Sequence, residues 1–154
     1  MMTPMPLATP SPSSLFIDTS GWLSIFVPSE RFHQSAQGIY AEAVSRAKRA
    51  GGITIVTTNY VLSELIALVL NRGLATMSRA LIYVRSIRST SYVAVVHIDK
   101  PTDDQAWNLL EKRTDKEWSL VDAASFVVME HLGLEHSLTT DRHFEQAGFT
   151  YLLK

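Results

Sequence analysis

The 154-residue sequence has no cysteine, which excludes a disulfide framework and thiolate metal sites and is compatible with a reducing cytoplasm. Any metal must be held by oxygen or imidazole. It also lacks a surplus of positive charge: 14 Lys and Arg stand against 15 Asp and Glu, for a formal net charge of −1. A uniformly basic coat for nucleic acid is thereby excluded, and a polyanion would have to be met by local patches and metal ions. No segment reaches the roughly 18 uninterrupted apolar residues of a membrane-spanning helix. The nearest candidate, Val61 to Leu70, is broken by Ser63 and Glu64. Residues 1–14 carry no Lys or Arg and no apolar run of about seven, so they fail both requirements of a signal peptide. Their Pro, Ser and Thr content reads as a disordered tail. No membrane is expected as a partner, and the expected location is the cytoplasm. The five histidines show no paired spacing of the HExxH kind, so nothing points to a zinc centre.

What is present is a hydrophobic fraction of 46% with only 19% charged residues, enough for a packed core and one domain, expected over residues 15–154. Leu15 to Ile17 reads as a buried strand that breaks at Asp18 into a short helix, stopped by Pro28. A helical pattern from Ser29 ends at Gly51-Gly52, where glycine accepts a left-handed cap. Strands are expected at Ile53–Val56, Val93–Ile98, Leu134–Thr139 and Phe149–Leu153. Helices are expected at Tyr60–Leu70, from Leu74 to about Arg88, from Thr102 to about Arg113, from Ser119 towards Leu132, and at Asp141–Ala147. Strands that are apolar throughout and alternate with helices are the signature of an α/β fold with a mostly parallel central sheet covered on both faces.

In such a sheet ligands bind outside the carboxyl ends of the strands. Asp18 and Asp141 fall just after strands, although each could simply cap the helix that follows. Glu64 falls at the edge of the arc formed by Val61, Leu62, Leu65, Ile66 and Val69 on a wheel of about 100° per residue. It could be a rim residue in water. Asp122 follows Ser119 by three, which fits a capping box as well as a metal ligand. Taken singly, each acid has a structural reading. Together, two acids at strand ends and two on helices can converge on one cleft. Two carboxylates about 4 Å apart repel by roughly 4 kcal/mol at an effective dielectric near 20, so four remain ionised together only around cations. Oxygen ligands suit Mg²⁺ or Mn²⁺, which accept phosphate oxygens and activate water for phosphodiester cleavage.

Four blocks carry a resemblance: Leu15-Phe-Ile-Asp18-Thr19-Ser20, Ser63-Glu64, Asp115-Lys-Glu-Trp118-Ser119-Leu-Val-Asp122-Ala-Ala-Ser125-Phe126, and Leu138-Thr139-Thr140-Asp141-Arg142-His143-Phe144 with Ala147-Gly148-Phe149. The sequence resembles a PIN domain, and within it the VapC-type toxin ribonucleases of toxin–antitoxin modules. The third and fourth blocks are the specific ones. The resemblance implies a PIN-like three-layer fold and a metal-dependent endoribonuclease. It implies Asp18, Glu64, Asp122 and Asp141 as catalytic and metal-binding residues, with Thr19, Ser119 and Thr139 supporting them. It implies Mg²⁺ or Mn²⁺, one or two ions, an RNA substrate such as tRNA or rRNA, a small antitoxin partner and a homodimer. The alternatives are a non-toxic RNA-processing nuclease and a catalytically silent PIN-like binding scaffold. The N-terminal extension before the first strand departs from the family pattern.

Arg142 adjoins Asp141 and is read as an RNA contact or as the partner of a neighbouring acid. Arg46, Lys48, Arg49, Arg79, Arg85 and Arg88 are sources of phosphate attraction or mere partners of helix ends. His143 lies near the expected cleft and is read as a surface residue. Trp22, Trp107 and Trp118 are read as core or rim packing. Leu62, Leu65, Ile66, Val69 and the Leu81 to Val84 stretch look like more apolar surface than one domain covers, and are assigned to a dimer or antitoxin interface.

Overall fold

The computed structural model describes residues 13–154. The tail expected over residues 1–14 lies outside them except for Ser13 and Ser14, and Ser14 is already buried, its hydroxyl donating to the Ile53 carbonyl at 3.1 Å. The chain runs β1 (Leu15–Ile17), α1 (Thr19–Phe26), α2 (His33–Ala50), β2 (Ile55–Thr58), α3 (Asn59–Asn71), α4 (Met77–Arg88), β3 (Val93–Val96), α5 (Lys100–Lys112), α6 (Leu120–Leu132), β4 (His136–Leu138), α7 (His143–Gln146) and β5 (Thr150–Tyr151). The strands form one sheet in the order β3-β2-β1-β4-β5, with every neighbouring pair parallel. The expected α/β architecture, a parallel sheet flanked by helices, is the one observed.

From β1 the chain builds outward to β2 and β3 and then returns to add β4 and β5 on the other side. The order therefore reverses between β1 and β4, and the crevice at their carboxyl ends is where an open parallel sheet offers a binding site. Phe16 pairs with Ser137 and Ile17 with Leu138, and the Asp18 N–H donates to the Leu138 carbonyl at 3.2 Å. β1 and its neighbour β2 are buried along their length. At Gly21 in α1 an added Cβ would lie 2.1 Å from the Leu138 carbonyl oxygen. Only a residue without a side chain lets α1 lie this close to the end of β4.

Several boundaries move, each for a local reason. The second helix begins at His33 rather than Ser29, because residues 29–32 form turns. The second strand begins at Ile55 rather than Ile53, since Gly51 and Gly52, both at positive φ, extend the loop ahead of it. The strand then continues through Thr58, whose hydroxyl accepts the Val61 N–H and caps α3. α4 starts at Met77 with Thr76 as its cap, rather than at Leu74. The cap of α5 is Asp99, not Thr102, with Pro101 in the first turn, where its missing N–H costs nothing. β3 is apolar but only half-buried, because it is an edge strand; a short apolar run does not distinguish edge from centre.

The expected apolar surplus needs correction. Leu62, Leu65 and Val69 are buried in the protomer's own core, with exposures of 6%, 1% and 0%. The large apolar side chains left exposed on this side are Leu70, Met77, Leu81 and Ile82 of α3 and α4. Trp22 and Trp118 are core residues, whereas Trp107 is 49% exposed.

Candidate active site

Each of the four acids is delivered to the crevice by a different element. Asp18 is the residue at which β1 stops, held by buried neighbours: Trp22 donates its indole N–H to the Thr57 hydroxyl at 3.1 Å, and that hydroxyl donates to the Ile17 carbonyl at 2.9 Å. Glu64 stands one and a half turns into α3, between the buried positions Leu62 and Leu65 on one side and the exposed Ser63 on the other. Asp122 is in the first turn of α6. Asp141 follows β4 and precedes α7, which is anchored by the fully buried Phe144 ring, 4.9 Å from Phe126 and 6.2 Å from Phe16 between centroids.

Asp18, Glu64 and Asp141 line one cleft of about 340 Å³ together with Thr19, Ser20, Leu68 and Thr140. Asp122 joins them through His143, whose Nδ1 lies 3.1 Å from Asp122 Oδ2 and 3.3 Å from Asp141 Oδ1. A larger cavity of about 640 Å³ sits at the amino ends of β1 and β4, beside Leu15 and His136, and contains none of the four acids. The chemistry-bearing residues are therefore at the smaller, polar cleft.

The cap readings resolve differently for each acid. The Asp18 carboxylate makes no capping hydrogen bond to α1. Asp122 does complete the capping box: its Oδ2 accepts the Ser119 N–H and its own N–H donates to the Ser119 hydroxyl, both at 3.0 Å. Asp141, one residue ahead of the α7 N-cap Arg142, accepts the His143 N–H on Oδ1 at 2.9 Å and so ties down the entry to the short helix. For these two acids the structural role and the position at the cleft coexist.

Thr139 organises the centre. It is fully buried, its hydroxyl donates to Asp18 Oδ2 at 3.1 Å, and it accepts the Asp141 N–H at 3.0 Å. Ser20 adds to this: its Oγ lies 3.0 Å from Thr139 Oγ1 and accepts the Thr140 N–H at 3.0 Å. Thr19 is buried beside Glu64, but its hydroxyl forms no hydrogen bond of good geometry. Arg142 is exposed at the head of α7.

Electrostatics separates the acids. Burial pushes the Asp18 carboxyl up to about 7, the Thr19 N–H working against the rise and the charges of Asp122 and Glu64 adding to it. Glu64 is raised mainly by burial, offset in part by the Thr19 hydroxyl and reinforced by Asp122 and Asp141. Asp122 is raised by burial as well, with the Ser119 N–H and His143 opposing and Asp141 adding. Each of these three shifts contains the charge of at least one other acid of the set, so the four are electrostatically linked. Asp18 Oδ1 is buried with no hydrogen-bond partner. An anionic oxygen left unpaired inside a protein costs several kcal/mol, and a hard cation is the partner that removes this cost. The donor set fits such an ion: carboxylate and hydroxyl oxygens with one imidazole, and no thiolate.

Two contributors escape sequence reasoning. His143 reads as a surface residue along the chain, yet its ring bridges two of the acids; its position two residues after Asp141, whose carboxylate accepts its N–H, is the available signal. Ser20, two residues after Asp18, binds across to Thr139 and Thr140, and no sequence signal indicates it.

Comparison with known proteins gives a consistent result. Residues 15–150 match the PIN domain family. The 23S rRNA-specific endonuclease VapC20 of Mycobacterium tuberculosis is 32% identical over 135 residues, covering 88% of this chain and 95% of the relative. The crystal structure of that VapC20, described as a sarcin–ricin loop cleaving toxin, superposes with a TM-score of 0.75 at 30% identity, covering 89% of this chain and 97% of the other. PAE2754 of Pyrobaculum aerophilum aligns with a TM-score of 0.60 at 14% identity, over 93% of this chain and 92% of its own. FitAcB of Neisseria gonorrhoeae aligns with a TM-score of 0.61 at 13% identity, over 90% and 96%. These last two speak to the fold alone.

Proposed function

Since the chain belongs to the PIN domain family, we propose that it is a metal-dependent endoribonuclease that hydrolyses RNA phosphodiester bonds, the toxin of a toxin–antitoxin pair. The observation that carries this reading is the buried, unpartnered Asp18 Oδ1 in a cleft lined also by Glu64 and Asp141, with Asp122 tied to Asp141 through His143. Asp18, Glu64, Asp122 and Asp141 hold one or two Mg²⁺ or Mn²⁺ ions. A divalent cation supplies charge neutralisation at the scissile phosphate and a water acidic enough to act as nucleophile near neutral pH.

The chain's own residues do the positioning. Thr139 orients Asp18 by donating to Oδ2, which leaves Oδ1 for the ion. The Ser119 N–H fixes the Asp122 carboxylate, and the His143 N–H fixes that of Asp141. Thr19, buried against Glu64, offers a hydroxyl with no competing partner of good geometry. Arg142, exposed beside Asp141, contacts a neighbouring phosphate of the RNA. The chemistry needs no side-chain nucleophile.

The RNA to try first is the sarcin–ricin loop of 23S rRNA, the target named for the relative with 32% identity. Wild-type protein with Mg²⁺ or Mn²⁺ cuts it, whereas chelator or Asp18→Asn stops cleavage. Cleavage that survives both treatments overturns the reading. Induced expression arrests growth and fragments RNA; unchanged growth, with purified protein still active, would point to an RNA-processing nuclease instead. The silent scaffold is disfavoured because Asp18, Glu64 and Asp141 line one cleft and Asp122 is tied to them through His143. A small antitoxin protein and a second copy of the chain are the expected partners. The exposed Leu70, Met77, Leu81 and Ile82 offer them an apolar surface. Light scattering that finds only monomer at micromolar concentration counts against the homodimer.

A further inference from the structure

His143 does more than its position in the sequence suggests. Its Nδ1 stands 3.1 Å from Asp122 Oδ2 and 3.3 Å from Asp141 Oδ1, and one ligand atom from each of the three residues lies within 4.8 Å of the others. Two adjacent ligands of an octahedral ion with bonds of roughly 2.1 Å are about 3.0 Å apart, so both nitrogen–oxygen separations match neighbouring coordination positions. Both carboxylate oxygens are already oriented by backbone donors, Oδ2 of Asp122 by the Ser119 N–H and Oδ1 of Asp141 by the His143 N–H, as supported ligands usually are. Phe144, fully buried next in the chain, fixes the turn that carries the ring. Asp18, whose Oδ1 is buried and unpartnered, lines the same cleft as Asp141, an independent sign that a cation belongs there.

We infer that His143 Nδ1 is a direct ligand of a divalent ion shared with Asp122 and Asp141, and that this nitrogen biases the site towards Mn²⁺ over Mg²⁺. The inference rests on the metal-site reading above and adds a nitrogen donor to it. The physical reason is ligand softness. Imidazole nitrogen favours first-row transition ions, whereas Mg²⁺ takes oxygen and keeps its waters. An imidazole that only hydrogen-bonds the two acids gives no such bias. The only side-chain contacts it would then contribute are hydrogen bonds to the two carboxylates, one proton shared between them.

The test uses the full chain and the metals alone, without RNA. Pulsed electron paramagnetic resonance of Mn²⁺ added to wild-type protein is expected to show coupling to one imidazole nitrogen. His143→Asn, which retains an amide donor near the same place, loses that coupling. It also weakens Mn²⁺ binding about ten-fold or more while changing Mg²⁺ binding less than two-fold. His143→Gln serves as the second variant if His143→Asn does not fold. Mn²⁺ bound without nitrogen coupling in the wild type overturns the inference, as does an equal loss of Mg²⁺ and Mn²⁺ affinity in the variant or an absence of Mn²⁺ binding at millimolar concentration. The nuclease reading fails separately: nitrogen-coupled Mn²⁺ with no RNA cut would sink that reading and leave the ligand assignment standing. RNA cleavage abolished by Asp18→Asn but no nitrogen coupling would do the reverse.

Discussion

The two walls of the cleft solve the same electrostatic problem in opposite ways. On the wall built from α6 and α7, Asp122 and Asp141 accept backbone N–H groups from Ser119 and His143 and share the His143 ring. Their charges are partly answered by the protein, and Asp122 also completes the capping box of α6. On the wall built from β1 and α3, Asp18 has one well-formed hydroxyl donor on Oδ2, no well-formed hydrogen bond on Oδ1 and only a partial offset from the Thr19 N–H, while Glu64 sits at a helix rim beside a hydroxyl that does not bond it well. This wall is organised but less compensated. The difference teaches that the fold fixes one pair of acids for its own stability and holds the other pair in a state that only a cation completes.

That asymmetry can be broken most directly through Asp18. Its carboxyl sits near 7 in the folded protein against an ordinary value of 3.8, so the folded state holds this proton more tightly than the unfolded one. The associated stability is full below about pH 4 and is lost as pH rises through about 7, on the order of 4 kcal/mol if burial is not relieved. In chelator, the wild type is therefore expected to unfold at progressively lower denaturant concentration from pH 4 to pH 8, while Asp18→Asn changes much less. Saturating Mn²⁺ removes most of the difference at pH 8. A chelated wild type with a flat profile over this range would show that the β1 wall is compensated after all.

The walls are brought together by the close approach of α1 to the end of β4. Gly21→Ala places a Cβ against the Leu138 carbonyl, a backbone group that cannot swing away. We expect a loss of about 2–3 kcal/mol, typical of overpacking in a tight core, measured as a lower denaturation midpoint. No change would mean that the crevice tolerates wider spacing. On the compensated wall, Ser119→Ala removes the cap of α6 and should cost about 1 kcal/mol. Because the Asp122 carboxylate would keep both the backbone N–H of position 119 and the His143 ring, losing only the hydroxyl that accepts its own N–H, metal affinity should fall less than for His143→Asn. A larger fall would move the weight of support from the ring to the cap.

Most of the architecture is readable along the chain because it depends on local signals. Pro28 and the Gly51-Gly52 pair end the first two helices near where expected, and Ser119 with Asp122 gives the capping box that starts α6. Burial at the edge is less legible. Val93 to Val96 is as apolar as Ile55-Val56, yet it is half-exposed because it has only one neighbour in the sheet. The apolar stripe of α3 suggests an interface, but the protomer itself buries Leu62, Leu65 and Val69.

The sequence by itself determined the alternation of strands and helices, the residue types able to hold a hard cation and their positions at strand ends and first turns, since these follow from periodicity and capping within a few residues. Tertiary structure alone decided that the strand order reverses between β1 and β4. It also decided that Asp18 keeps one oxygen unpartnered and that the His143 ring falls between Asp122 and Asp141. Those outcomes depend on contacts between residues separated by as many as 121 positions, which no local pattern encodes.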